Sequence, residues 1–78
     1  MSTEATIRSL ISENVEGFDG NMLKADAQFL DAGLDSLDLA TVFLEVQEAF
    51  DVVIAEGDEE KYDTLQKLVA YVEADGDA

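Results

Sequence analysis

The spacing of apolar residues from position 36 to position 50 constrains the fold more than any other feature of the sequence. At about 100° per residue, one sector of a helix about 100° wide collects the apolar side chains that should face a core. These side chains are Leu39, Val42, Phe43, Val46 and Phe50. Leu37 and Leu44 fall on the opposite side, beside Thr41 and Glu48. The pattern predicts an amphipathic helix that leaves two leucines exposed.

Two further helices are predicted, one on either side of the first. The N-terminal one runs from about Thr3 to Glu16, with Ser2 or Thr3 as its N-cap. Its core positions are Ile7, Leu10, Ile11 and Val15. The C-terminal one is capped by Thr64 and is followed by a tail, residues 74–78, that is expected to be frayed. Its core positions are Leu65, Leu68, Val69 and Val72.

The connections between these helices carry apolar residues as well. The first connection, from Gly17 to Asp35, is long for a compact domain, and loops of this length tend to be functional. Its expected core anchors are Phe18, Leu23, Phe29 and Leu30. The run Val52, Val53 and Ile54 predicts a buried connection, and the following EGDEEKYD predicts a single helical turn. The chain is therefore predicted to be one all-α domain, residues 1–78, with three main helices and a short one.

Composition narrows the possible settings and partners. Nineteen acidic residues oppose four basic ones, so the 78-residue chain has a net charge of -15, while 47% of its residues are hydrophobic. This balance disfavours nucleic acid and anionic membranes as partners and favours basic proteins. The chain has no cysteine for disulfides, no stretch long enough to span a membrane and no signal-like N-terminus. A cytoplasmic location is expected.

We do not expect this chain to be a catalyst, because it has neither histidine nor cysteine with which to activate a nucleophile. The acidic loops do not match the calcium-loop spacing, so no metal site is predicted. Ser36 stands out as a point of attachment, since a phosphate joined there would meet the positive end of a helix dipole. The alternative is that Asp35 or Ser36 only caps the helix, which both residue types commonly do.

The segment FLDAGLDSLDLATVFLEVQEAFDVVI resembles the acyl carrier proteins. It has the phenylalanine ahead of D-S-L and the E-x-F-D-[IV] ending of the next helix, and the resemblance covers about residues 3–73. It implies a four-helix bundle in which a phosphopantetheinyl transferase adds 4'-phosphopantetheine from coenzyme A to Ser36. The arm would hold acyl groups as thioesters and present them to enzymes of fatty-acid or related lipid biosynthesis. The chain itself would be a carrier, expected to be a monomer, and not an enzyme.

By the same resemblance, the helix beginning at Ser36 is the one that partners recognise. Asp35 and Asp38 would meet basic residues of the transferase, and acyl-processing enzymes would dock through similar basic patches. The full set of expected contact residues is Asp35, Leu37, Asp38, Thr41, Leu44, Glu45, Gln47 and Glu48.

Some residues depart from the pattern of the fatty-acid carriers. Thr41, Gln47 and Ala49 occupy positions that are often acidic there, Glu45 adds an acid, and Ala55 replaces a common proline. The AGLDSL run is also similar to polyketide and peptidyl carriers. A carrier of aminoacyl or polyketide intermediates therefore stays open as an alternative, as does an unmodified acidic interaction module that docks through its exposed leucines.

Overall fold

In the computed structural model, which describes residues 2–55 and 57–76, the chain is all-α, as predicted. Four α-helices follow in order: α1 (Thr3–Asn14), α2 (Phe29–Ala32), α3 (Ser36–Phe50) and α4 (Leu65–Gly76). Short 3₁₀ turns span Gly20–Met22 and Glu59–Tyr62, and the second of them is the helical turn predicted for EGDEEKYD. The three main helices are therefore confirmed, whereas α2 and the first 3₁₀ turn were not predicted.

The helices begin and end at residues suited to those positions. Ser2 is the N-cap of α1, where its side chain accepts a hydrogen bond from the backbone N–H of Ala5. Thr64 caps α4 as predicted, since its hydroxyl oxygen lies 3.1 Å from the backbone nitrogen of Lys67. Asp51 ends α3 in the left-handed conformation, with φ of 55°. Helix α4 includes residues 74–76 of the expected tail, and residues 77 and 78 lie outside the described part of the chain.

The core lies between α1, α3 and α4 and is filled from the predicted helical faces. Most of the predicted core positions are buried, and Leu10, Leu39, Phe50 and Val69 pack partly buried at its edges. The best-buried side chains are Ile7, Ile11, Phe29, Val42, Val46, Leu65, Leu68 and Val72. Phe29 meets Phe43 edge to face, with ring centroids 6.3 Å apart, so α2 is joined to the middle of α3.

Two of the predicted anchors are wrong. Leu30 is 61% exposed, because the single turn of α2 buries Phe29 and directs its neighbour outward, and Leu34 is buried in its place. Val53 is 72% exposed, because the segment after α3 is extended and its side chains alternate in direction. Val52 and Ile54 face inward, and Val53 faces outward.

The long first connection is held against α1 by polar contacts. Nη1 of Arg8 donates to the carbonyl oxygens of Gly20, at 2.7 Å, and Leu23, at 2.6 Å. The hydroxyl of Ser12 accepts from the backbone N–H of Gly20 at 2.8 Å. A Cβ atom at Gly20 would lie 2.1 Å from the carbonyl oxygen of Arg8, so only glycine allows this approach. The connection that leads to α2 and α3 is therefore ordered, not loose.

Candidate functional site

The junction between α2 and α3 places Ser36 at the first turn of the longest helix. Gly33 ends α2 in the left-handed conformation, with φ of 115°, and its N–H reaches back to carbonyls of α2. Leu34 is buried and its backbone N–H donates to the carbonyl of Phe29 at 3.1 Å. With Leu34 fixed in the core, the next residue, Asp35, becomes the N-cap of α3.

A reciprocal capping box closes the start of α3. Oδ1 of Asp35 accepts from the backbone N–H of Asp38 at 2.8 Å, and Oδ2 of Asp38 accepts from the backbone N–H of Asp35 at 3.2 Å. Asp35 and not Ser36 is therefore the cap. Among the described residues, none pairs with the hydroxyl of Ser36, which is exposed on the first turn.

The backbone around Ser36 suits a phosphodiester. The N–H groups of Asp38 and Leu39 are used within the cap, the latter donating to the carbonyl of Asp35 at 3.0 Å. In the part of the chain that the structure describes, no acceptor pairs with the N–H groups of Ser36 and Leu37. Two free donors and the helix dipole therefore favour a negative group at this position, while the free hydroxyl leaves a point to which it can be joined.

The expected contact residues of α3 share one exposed face, except for Gln47. Leu37 is 78% exposed and Leu44 is 54% exposed, as predicted for two leucines turned away from the core. Thr41 lies between them, with its hydroxyl bonded to the carbonyl of Leu37 at 3.2 Å. Glu48 is exposed and Glu45 is half-buried. The result is an apolar strip bordered by carboxylates at the side of α3.

Gln47 is used inside the molecule. Its Nε2 donates to the carbonyl of Phe43 at 3.3 Å, and its Oε1 accepts from the backbone N–H of Ile54 at 3.1 Å. Both ends of the amide are therefore engaged in holding the extended segment against α3. This placement gives Gln47 a structural role that the sequence pattern did not indicate.

The acidic side chains on either side of Ser36 serve the helix cap. The carboxylates of Asp35 and Asp38 are turned to the backbone as caps, and across residues 2–55 and 57–76 no group of three or more acidic, histidine or cysteine side chains is arranged to hold a metal ion. None of the described helices is long and apolar enough to cross a membrane. Ser36 is therefore an exposed hydroxyl beside a closed helix cap.

Comparison with known proteins agrees with this geometry. Residues 5–72 match the family described as the phosphopantetheine attachment site. The chain is similar to a protein named acyl carrier protein from Bdellovibrio bacteriovorus, with 35% identity over 79 residues covering the whole of both chains. The chain belongs to the acyl carrier protein family. Further acyl carrier proteins, from Desulforapulum autotrophicum and Akkermansia muciniphila, are each 34% identical over 73 residues, which is 92% of this chain and 95% and 90% of theirs.

Membership in the acyl carrier protein family decides the main function. The chain is a phosphopantetheine-bearing acyl carrier, and acyl carrier proteins work with acyl-processing enzymes. The same membership points to a carrier and not to a catalyst. Two residues that shape the surface of the first connection, Arg8 and Met22, were not recognised from the sequence. The sequence held one indication that Arg8 has a special role, because Arg8 is the sole basic residue of the first helical segment.

Proposed function

We propose that Ser36 is the residue that carries 4'-phosphopantetheine. In the transfer, the Ser36 Oγ forms a bond to the phosphorus that bears pantetheine in coenzyme A, and the pyrophosphate bond breaks. Adenosine 3',5'-bisphosphate leaves, and the serine proton passes to a base of the transferase. The unpaired hydroxyl of Ser36 at the start of α3 is the observation that carries this proposal.

Residues of this chain hold the attachment point in place. The capping box of Asp35 and Asp38 fixes the first turn of α3, and the N–H groups of Ser36 and Leu37 are free to meet phosphate oxygens. The attached group supplies a thiol, on which acyl groups are held as thioesters, to a chain that has no cysteine. The chain therefore positions the arm, and separate enzymes perform the chemistry.

The exposed face of α3 is the proposed docking surface for those enzymes. Leu37 and Leu44 offer apolar contact, and the surrounding carboxylates attract basic patches on the transferase and on enzymes of fatty-acid or related lipid biosynthesis. With a net charge of -15, long-range attraction should speed encounter more than it tightens the complex. We propose a cytoplasmic monomer without catalytic activity of its own.

Attachment is tested by the intact mass of the protein after incubation with coenzyme A and a broad-specificity phosphopantetheinyl transferase. The mass of the wild-type chain should rise by one phosphopantetheine. Ser36→Ala should abolish the rise, whereas Ser9→Ala, at an exposed serine in α1, should leave it intact. No rise in the wild type would sink the proposal and favour the unmodified interaction module. Mass analysis of the protein from its own host then separates fatty-acyl cargo from aminoacyl or polyketide cargo.

A further inference from the structure

A second apolar surface lies on the connection between α1 and α2. It is a groove of about 420 Å³, called here the loop groove, lined by Phe18, Met22, Leu23, Ala27 and Ala32, with Asp19 and Lys24 as its charged residues and Gly17 at one side. None of these residues belongs to the exposed face of α3. The loop groove is therefore a separate feature of the surface.

Met22 is held rigidly in an exposed position. It is 79% exposed, more than Leu37, the most exposed leucine of the docking face. Gly20, two positions before it, and Leu23, directly after it, are fixed by the hydrogen bonds that Arg8 donates to their carbonyls, and Leu23 is buried. The side chain of Asp19 also caps the turn by accepting from the backbone N–H of Asn21 at 2.9 Å. An apolar side chain on an ordered backbone loses little backbone freedom when a partner covers it.

Lys24 is the basic residue of the loop groove. Among the described residues, the other three basic side chains form ion pairs: Arg8 with Glu4, Lys61 with Asp58 and Lys67 with Asp63. Lys24 is exposed and has no ion pair within the described part of the chain. On a chain with a net charge of -15, an unpaired cation beside an apolar groove favours a partner that brings a carboxylate.

One edge of the loop groove lies close to Ser36 along the chain. Ala32, at its edge, precedes Ser36 by four residues, so their Cα atoms are at most about 14 Å apart. An interface of standard size covers about 800 Å² on each partner, which corresponds to a disc with a radius of about 16 Å. An enzyme centred on Ser36 would therefore reach the near edge of the loop groove as well as the face of α3.

We propose that the loop groove is a second contact for the phosphopantetheinyl transferase, which places an apolar side chain against Met22 and a carboxylate opposite Lys24. This inference rests on the proposed modification of Ser36. The α3 face takes basic residues and the loop groove takes an acidic one. Two contacts of opposite charge fix the orientation of the enzyme over Ser36, because a rotated complex would oppose like charges.

Steady-state kinetics of the transferase with the full-length apo chain test this proposal. Met22→Ser and Lys24→Glu should each raise KM about threefold or more, as expected for contact residues, with kcat within about twofold of wild type. The matched controls are Val53→Ser, at a residue that is 72% exposed outside the loop groove, and Lys61→Glu, which changes the net charge equally. The controls should stay within about twofold of the wild-type KM.

Each other outcome has a definite meaning. Unchanged KM values for Met22→Ser and Lys24→Glu would overturn the loop groove as a contact. Equal increases for Lys24→Glu and Lys61→Glu would also overturn it, since net charge alone would then explain the effect. Thermal melting of each variant checks that it is folded. We expect both variants to fold, because Met22 and Lys24 are exposed. If the wild-type chain accepts no phosphopantetheine, the proposed function fails, and that result is distinguishable from failure of the loop groove.

Discussion

Asp35 uses one carboxylate for two purposes, and substitution can separate them. As the N-cap of α3 it accepts a hydrogen bond from Asp38, and as a charge beside Ser36 it is expected to meet a basic transferase. Asparagine caps helices about as well as aspartate but carries no charge. Asp35→Asn should therefore leave the free energy of unfolding in urea almost unchanged while raising the KM of the transferase.

The matched variant for this prediction is Asp35→Ala, which removes both functions. It should lower the free energy of unfolding by about 1 kcal/mol, because the N–H of Asp38 loses its acceptor. If Asp35→Asn costs as much stability as Asp35→Ala, the cap does not work as described. If Asp35→Asn leaves KM unchanged, Asp35 is a structural residue only.

Substitution of Gln47 tests whether this residue, which was expected to bind partners, stabilises the fold instead. Gln47→Ala removes the acceptor of the Ile54 N–H and the donor to the Phe43 carbonyl, so the free energy of unfolding should fall by about 1–3 kcal/mol. Thr41→Ala, on the exposed face of the same helix, should change it by no more than about 0.5 kcal/mol. Chemical denaturation measures both, and equal effects would contradict the internal role of Gln47.

At the scale of elements, the helices were predictable and the connections between them were not. Helical spacing and capping residues located α1, α3 and α4 closely, because each helix buries one continuous stripe. The connections have no such period. Leu30 and Leu34 are equally apolar, yet only Leu34 is buried, since the turn of α2 and the left-handed Gly33 decide which of them faces the core. That decision depends on tertiary packing.

The contact between α1 and the first connection supplies a prediction at this scale. Gly20→Ala should lower the free energy of unfolding by about 1–3 kcal/mol, because its Cβ would lie 2.1 Å from the backbone oxygen of Arg8 and the connection would have to move away. Asn21→Ala, at the exposed neighbouring position, is the control and should be nearly neutral. Urea denaturation measures the free energy of unfolding of both variants. A Gly20→Ala variant as stable as the wild type would contradict the close packing.

The whole molecule carries a net charge of -15 on a small core, with three ion pairs found among the described residues. Repulsion between like charges should therefore cost stability that salt restores by screening. If moderate salt relieves about 1 kcal/mol, the melting temperature of a domain of this size should rise by roughly 4–8 °C. Thermal melts from low to moderate sodium chloride test this, and a flat melting temperature would show that the repulsion is small.

The candidate site was predictable only as far as it is local in sequence. The DSL run and the stripe of α3 located Ser36, Leu37 and Leu44 correctly on an exposed helix start and face. The loop groove was not predictable, because the connection that lines it is held by Arg8 through carbonyls 12 and 15 residues further along the chain. Contacts at that separation leave no periodic signal in a single sequence.

Attachment of phosphopantetheine to Ser36 is the central claim, and peptide mapping of the modified protein tests it most directly. Cleavage after Lys24 and Lys61 gives a fragment of residues 25–61 in which Ser36 is the sole serine. After treatment with coenzyme A and transferase, this fragment should carry the added phosphopantetheine, with fragmentation placing it on Ser36. An unmodified 25–61 fragment, whether the gain in mass falls elsewhere or is absent, would contradict the claim.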